Sequence, residues 1–152
     1  MRKIFVFLLF GAFLFGACKK EDQKEIDQGI IEKYITDHNL NALEGEDGLY
    51  YVLENEGSGA RPTAFSTVTV HYRGQLTDGF VFDPSYDRGQ PATFSLSEVI
   101  EGWQIGIPKF REGGKGKLLI PSHLAYGSRP PFGSGIPADA VLIFDVELLD
   151  VK

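Results

Sequence analysis

Cysteine is nearly missing from this chain. A single one, Cys18, stands among 152 residues, so no intrachain disulfide can form and a disulfide framework is excluded. Histidine is scarce as well: His38, His71 and His123 are scattered, with no H-x-x-x-H pair and no cysteine nearby, which argues against a zinc site. Positive charge is in deficit, with 15 Lys and Arg against 21 Asp and Glu and a formal charge of −6. Without clustered cations the chain has no electrostatic footprint for nucleic acid. It shows no internal repeat and no low-complexity segment, and its one long apolar run lies at the N-terminus.

That run has the form of an export signal. Arg2 and Lys3 give a positive start, Ile4 to Phe15 are apolar, and Gly16-Ala17 are small. It falls short of the ~20 apolar residues that a mature membrane-spanning helix needs. Cys18 follows at once and resembles the lipobox cysteine of bacterial lipoproteins, which is acylated and becomes the new N-terminus. Phe15 departs from the leucine usual three residues earlier. Residues 1–17 are thus expected to be a signal peptide, and Cys18 the site of lipidation. Taking Arg2 and Lys3 from the 15 basic residues leaves 13 against 21 acidic ones, a formal charge of −8. Such a chain has no charge-based hold on anionic lipid, so membrane attachment would rest on acyl chains, at about 0.8 kcal/mol per buried CH₂. The expected location is the cell envelope. Lys19 in place of aspartate resembles outer-membrane lipoproteins, facing the periplasm or the surface.

After Cys18, the polar stretch Lys19 to Glu25 reads as a tether. Ile26, Ile30 and Tyr34, with Ile31 and Ile35, recur at helical spacing, which predicts a helix over 25–37, ended near Asn39; it could cap its own domain or pair with a second copy, and the first is favoured. Asn41 to Gly48 is polar and is the best domain boundary, so residues 18–47 form tether and helix and 48–152 the main domain. From Leu49 the period changes to two. Leu49, Tyr51 and Leu53 alternate with Tyr50, Val52 and Glu54, and Val68, Val70 and Tyr72 with Thr67, Thr69, His71 and Arg73. Short strands are predicted over 80–82, 92–96 and 117–120, with a last one presenting Leu142, Phe144, Val146 and Leu148 on one face. Between them lies Val99 to Ile107, helical despite Gly102 and Gly106, each of which weakens a helix by about 1 kcal/mol. The class is α+β, an antiparallel sheet with one internal helix.

Several familiar chemistries fail on the residues. Gly113-Gly114-Lys115-Gly116-Lys117 lacks the Ser or Thr that a phosphate loop needs after Gly-Lys, and Leu118 follows instead. Gly133-Ser134-Gly135 has the wrong spacing for a nucleophile elbow. Glu98 and Glu101 flank a helix start, where solvated carboxylates are expected. What is abundant is aromatic surface. Tyr72, Phe82, Phe94, Trp103, Tyr126 and Phe144 come from separate elements, and Asp83 follows Phe82 directly. The tyrosine hydroxyls need partners if buried, so an apolar pocket with a few polar rim groups is the economical account. Such a pocket suits rotation about the X–Pro amide, which needs no nucleophile, metal or cofactor.

Four motifs in order carry a resemblance: Val70-His71-Tyr72-Arg73-Gly74 running to Phe80-Val81-Phe82-Asp83, Val99-Ile100-Glu101-Gly102-Trp103, Ala125-Tyr126-Gly127, and Ala140 to Leu149. Over 49–151 the chain resembles the FKBP-type peptidyl-prolyl isomerases. The resemblance implies a strongly bent antiparallel sheet wrapped around one short helix, and folding assistance to exported proteins. It implies that Trp103 is the pocket floor, with Tyr72, Phe82, Val99, Ile100 and Phe144 as walls and Phe94 alongside. Asp83 matches the rim carboxylate, Arg88 a basic residue that pairs with the carboxylate region, Tyr126 the tyrosine that bonds the peptide carbonyl, and Ile136 an apolar flap residue. No cofactor is implied; the implied partners are proline-containing polypeptides and the family's macrolide inhibitors. Ala92 stands where many relatives have a second phenylalanine, which would widen the pocket there, and the flap 128–135 matches no fixed pattern. The rival readings are a non-catalytic holdase or adaptor on the envelope, and a lipoprotein that captures a small apolar ligand.

Overall fold

The computed structural model describes residues 15–152, with side chains from Asp22 onward. Most of the expected signal peptide therefore lies outside the described residues, as does the Cys18 side chain. In chain order the elements are α1 (Phe15–Asp37), β1 (Leu43–Glu44), β2 (Tyr50–Asn55), β3 (Thr67–Leu76), β4 (Val81–Pro84), β5 (Ala92–Ser95), α2 (Glu101–Gly106), β6 (Lys115–Ile120) and β7 (Leu142–Val151). The strands form one antiparallel sheet in the order β1-β2-β6-β7-β3-β4, with β5 also paired to β3.

Period-two patterning builds the centre of this sheet. In β3, Val68, Val70, Tyr72 and Leu76 are buried on the inner face while Thr69, His71 and Arg73 point the other way. The neighbouring β7 sends Leu142, Phe144, Val146 and Leu148 to the same face. The alternation of β6 is hidden because both its faces are covered. Leu118 and Ile120 enter the inner core while Leu119 faces outward, into a second cluster with Val52, Val141 and Ile143.

Helix α1 closes that outer cluster with Ile31 and Tyr34, each buried side chain contributing about 1.5–3 kcal/mol. It lies on its own domain, as the spacing predicts, but differs from the expectation in two ways. It runs back to Phe15, so 18–24 is helical rather than an extended tether. Its inward face also begins with Asp27, not with Ile26 and Ile30, which are 54% and 37% exposed. Three and four residues separate neighbours on a helical face, and the set 27, 31, 34 reaches the sheet. The helix ends in a Schellman arrangement. Asn39 takes φ 51°, and the Leu40 N–H reaches back to the Ile35 carbonyl at 3.0 Å. The connection 41–48 is not free linker, since β1 pairs with β2 there.

The short α2 crosses the inner face against β6, and its two glycines are the reason it fits. A Cβ on Gly106 would stand 2.7 Å from Leu118 Cδ2, and one on Gly102 would overlap Ile120 Cγ2. Losing helix propensity at both sites lets the axis approach the strand and presents Trp103 to the core, 4% exposed. Gly106→Ala should therefore destabilise the domain by about 1–3 kcal/mol, overpacking outweighing the ~1 kcal/mol gained in propensity. Denaturant melts of the two proteins check this; a variant as stable as its parent would show that the contact has slack.

Candidate functional site

On the open side of α2 the sheet leaves a cavity of about 490 Å³, lined by side chains from β3, β4, β5, α2, β7 and two loops. Trp103 is its floor. The indole meets Tyr72, Phe94 and Phe144 edge-on, at centroid separations of 5.2, 5.5 and 5.4 Å and interplanar angles of 89°, 88° and 81°. Phe82 stands edge-on to Phe144 at 5.7 Å. Each such pair contributes about 0.5–1.5 kcal/mol beyond area burial and fixes ring orientation. Room for the Phe82–Phe144 pair comes from Gly74 on β3, where a Cβ would lie 2.6 Å from one ring and 2.8 Å from the other.

One rim is polar. The Tyr72 hydroxyl donates to Asp83 Oδ2 at 2.7 Å, Arg88 Nη1 donates to Asp83 Oδ1 at 2.9 Å, and Arg88 Nη2 donates to the Tyr72 hydroxyl oxygen at 3.0 Å. The guanidinium carbon also sits 5.7 Å from the Tyr72 ring centroid. Asp83 and Arg88 are roughly half-exposed, so the pair orients groups more than it adds stability. Burial, and then the hydrogen bond to Asp83, push the Tyr72 phenol up to about 12, which keeps it a proton donor. The chain from 83 to 88 is pinned by Ser85, whose buried hydroxyl accepts the Tyr72 N–H at 2.7 Å while its own N–H reaches the Tyr72 carbonyl at 2.8 Å.

Tyr126 also lines the cavity, about a third exposed, with its phenol raised by burial and then by the nearby Asp83 charge. Ile136, 8% exposed, comes from the flap with Pro131 and Ser134.

The structure brings together every residue expected for the site. Tyr72, Phe82, Asp83, Phe94, Val99, Ile100, Trp103, Tyr126, Ile136 and Phe144 all line the cavity, and Arg88 stands just behind Asp83. Ala92 does not line it; it packs against the core opposite Val70. Four contributors escape a reading of the sequence. Glu98, which that reading leaves in solvent, lines the cavity with Pro131 and Ser134, and Gly74 shapes its wall. Adjacency to Val99 was the available signal for Glu98; Gly74 stands inside the first family motif, but nothing in the residues shows that it makes room for two rings.

The fold and cleft together define an immunophilin-type domain, and comparison with known proteins agrees. The sequence profile of the FKBP-type peptidyl-prolyl cis-trans isomerases matches residues 59–149. The chain belongs to that family. It is 54% identical over 108 residues to the FKBP-type peptidyl-prolyl cis-trans isomerase FkpA of Aeromonas hydrophila, a match covering 70% of this chain and 39% of that protein. The crystal structure of FkpA from Escherichia coli superposes with a TM-score of 0.75 at 40% identity, covering 90% of this chain and 63% of that one. A peptidyl-prolyl cis-trans isomerase from Pseudomonas syringae pv. tomato gives the same TM-score at 31% identity, over 87% and 95% of the two chains. The chain thus spans about two fifths of the A. hydrophila relative's length.

The raised phenol fixes the sign of an alkaline effect. An unfolded tyrosine titrates near 10 and folded Tyr72 near 12, so between these values the folded state keeps a proton that the unfolded state has lost. Stability from this group is fully present below pH 10 and should fall as pH rises through that window. Melting temperature followed up to about pH 12 should drop less steeply for Tyr72→Phe than for the parent; parallel curves would show that the phenol is not perturbed.

Proposed function

We propose that the chain is a peptidyl-prolyl cis-trans isomerase that assists folding of exported, proline-containing polypeptides, held at the cell envelope by lipid on Cys18. One observation carries the catalytic half: an apolar cleft floored by Trp103, with Asp83 and Tyr126 both among the polar groups that line it. Family membership supports it. In this reading residues 1–17 are a signal peptide, 18–47 tether and helix, and 48–152 the isomerase domain. Attachment rests on the run Phe15-Gly16-Ala17-Cys18.

The chemistry follows from the geometry. Amide resonance gives X–Pro rotation a barrier of about 18–20 kcal/mol, and uncatalysed exchange takes tens to hundreds of seconds. The planar amide is more polar than the twisted one, so transfer from water to an aromatic floor raises the ground state relative to the transition state. Tyr72, Phe82, Phe94, Val99, Ile100 and Phe144 hold the prolyl ring on Trp103. The Tyr126 hydroxyl donates to the peptide carbonyl. Asp83, kept in place by Tyr72 and Arg88, sets a fixed negative charge at the rim beside the prolyl ring, and Ile136 packs on the preceding side chain. Acceleration from tens of seconds to milliseconds, about 10⁴-fold, needs roughly 5 kcal/mol, within reach of desolvation and positioning together. No step calls for a cofactor, and macrolide inhibitors of the family would occupy the same floor.

The holdase reading draws on Phe132, wholly exposed at the flap, and Phe80, 49% exposed. One assay separates the two. Full-length protein should accelerate exchange of an X–Pro peptide, with or without chelator. Asp83→Ala should lower kcat/KM about tenfold at nearly unchanged melting temperature, Phe82→Ala should lower it as much with some loss of stability from its ring contact with Phe144, and Trp103→Ala should also cost about 3–5 kcal/mol of stability. Peptide binding without acceleration would favour the holdase.

The anchor has its own test. Wild-type protein should fractionate with membranes and take up a fatty-acid analogue, and Cys18→Ser should do neither. A Cys18→Ser protein still in the membrane fraction would assign attachment to α1.

A further inference from the structure

Asp27 is the one wholly buried carboxylate among the described residues, and it belongs to the N-terminal helix rather than to the sheet domain it touches. Burying a carboxylate is costly unless donors replace its water. Here three do. Oδ2 accepts the Ser122 backbone N–H at 2.8 Å and the Ser122 hydroxyl at 2.6 Å, and Oδ1 accepts Gln23 Nε2 at 2.8 Å. No cation pairs with it among the described residues. Stability alone does not account for such a group, since apolar residues of similar volume often do as well.

What the carboxylate grips is the root of the loop that carries Tyr126. Ser122 follows β6, and its carbonyl accepts the N–H groups of Ala125 at 3.0 Å and Gly127 at 2.9 Å, the residues on either side of Tyr126. The Gly127 carbonyl in turn accepts the Asp139 N–H at 2.8 Å, tying this turn to the chain leaving the flap. Ser122 is 1% exposed, so no water competes for its donors. A continuous path of hydrogen bonds therefore runs from α1 through Ser122 to both flanks of Tyr126, on the opposite face of the sheet from the helix.

We propose that Asp27 is a positioning residue for catalysis, acting through Ser122 to hold Tyr126 over the cleft, so that the N-terminal helix is a working part of the isomerase site. Its catalytic effect rests on the role given to Tyr126 above; its positional effect does not. Charge-assisted bonds to a neutral hydroxyl and amide are stronger than neutral ones, and misplacement of a positioning group by a fraction of an ångström is enough to slow a reaction.

The test uses the full chain and compares Asp27→Asn, Asp27→Ala and Ser122→Ala, each alone and combined with Tyr126→Phe. Asp27→Ala should lower kcat/KM about fivefold, and Asp27→Asn, which keeps one acceptor oxygen, should lower it less. In the Tyr126→Phe background neither should slow the reaction further, whereas a merely structural role would give the same loss in both backgrounds. Assays run well below each variant's melting temperature, and Ser122→Ala, which keeps the backbone bond, serves if Asp27→Ala does not fold. NMR of the same proteins reads position without activity: the Tyr126 ring resonances should shift and the Gly127 amide should exchange faster in Asp27→Ala. Equal losses with and without the Tyr126 hydroxyl, or unmoved Tyr126 and Gly127 signals, would overturn the proposal. A Tyr126→Phe protein as active as its parent would instead sink the role given to Tyr126, and the NMR arm would still decide whether Asp27 places it.

Discussion

Everything in the cleft depends on how closely α2 approaches β6. Gly102 and Gly106 remove the two Cβ atoms that would otherwise collide with Ile120 and Leu118, and the axis settles where the indole of Trp103 becomes a floor. With that floor set, the rings of Tyr72, Phe94 and Phe144 can all meet it edge-on, which a flatter or more distant helix would not allow. Gly74 extends the same device to the wall by making room for Phe82 beside Phe144. The site is a place where backbone gives way so that aromatic side chains can converge.

The polar rim solves a different problem. Tyr72 belongs to the core by its ring and to solvent by its hydroxyl, and the Asp83–Arg88 pair satisfies that hydroxyl at the boundary. A half-exposed ion pair adds little stability, but it leaves a carboxylate in one orientation at the mouth of an apolar cleft. Ser85 supplies the rigidity by binding both the N–H and the carbonyl of Tyr72. Asp83 and Tyr126 are thus each backed by a buried serine, Ser85 behind the first and Ser122 behind the second.

The outer face shows why α1 matters to the sheet. Val52, Leu119, Val141 and Ile143 would form an exposed apolar patch on β2, β6 and the start of β7 without Ile31 and Tyr34 over them. The same strands carry the inner core on their other face, so covering one side supports the side that binds. That joins a segment outside the profile match at residues 59–149 to the domain inside it.

The strands β3 and β7, the α+β class and the set of lining side chains were legible in the residues, because period-two alternation and the four family motifs are local signals that survive without coordinates. The end of α1 at Asn39 was legible for the same reason. Its start was not: a polar run from Lys19 to Glu25 carries no apolar period, and its inward face begins with a charged residue, the opposite of what burial by hydrophobicity predicts. Glu98 was set aside in the same way, since a carboxylate at a helix start is usually solvated. Gly74, Ser85, Asp27 and Ser122 lie beyond any local reading, because their roles exist only between residues far apart in the chain, 95 positions in the case of Asp27 and Ser122. Sequence by itself determined which side chains of the central strands face inward; tertiary structure decided which face of α1 is buried, which backbone had to yield and which buried polar groups hold the mouth in place, since close approach and desolvation are properties of neighbours in space.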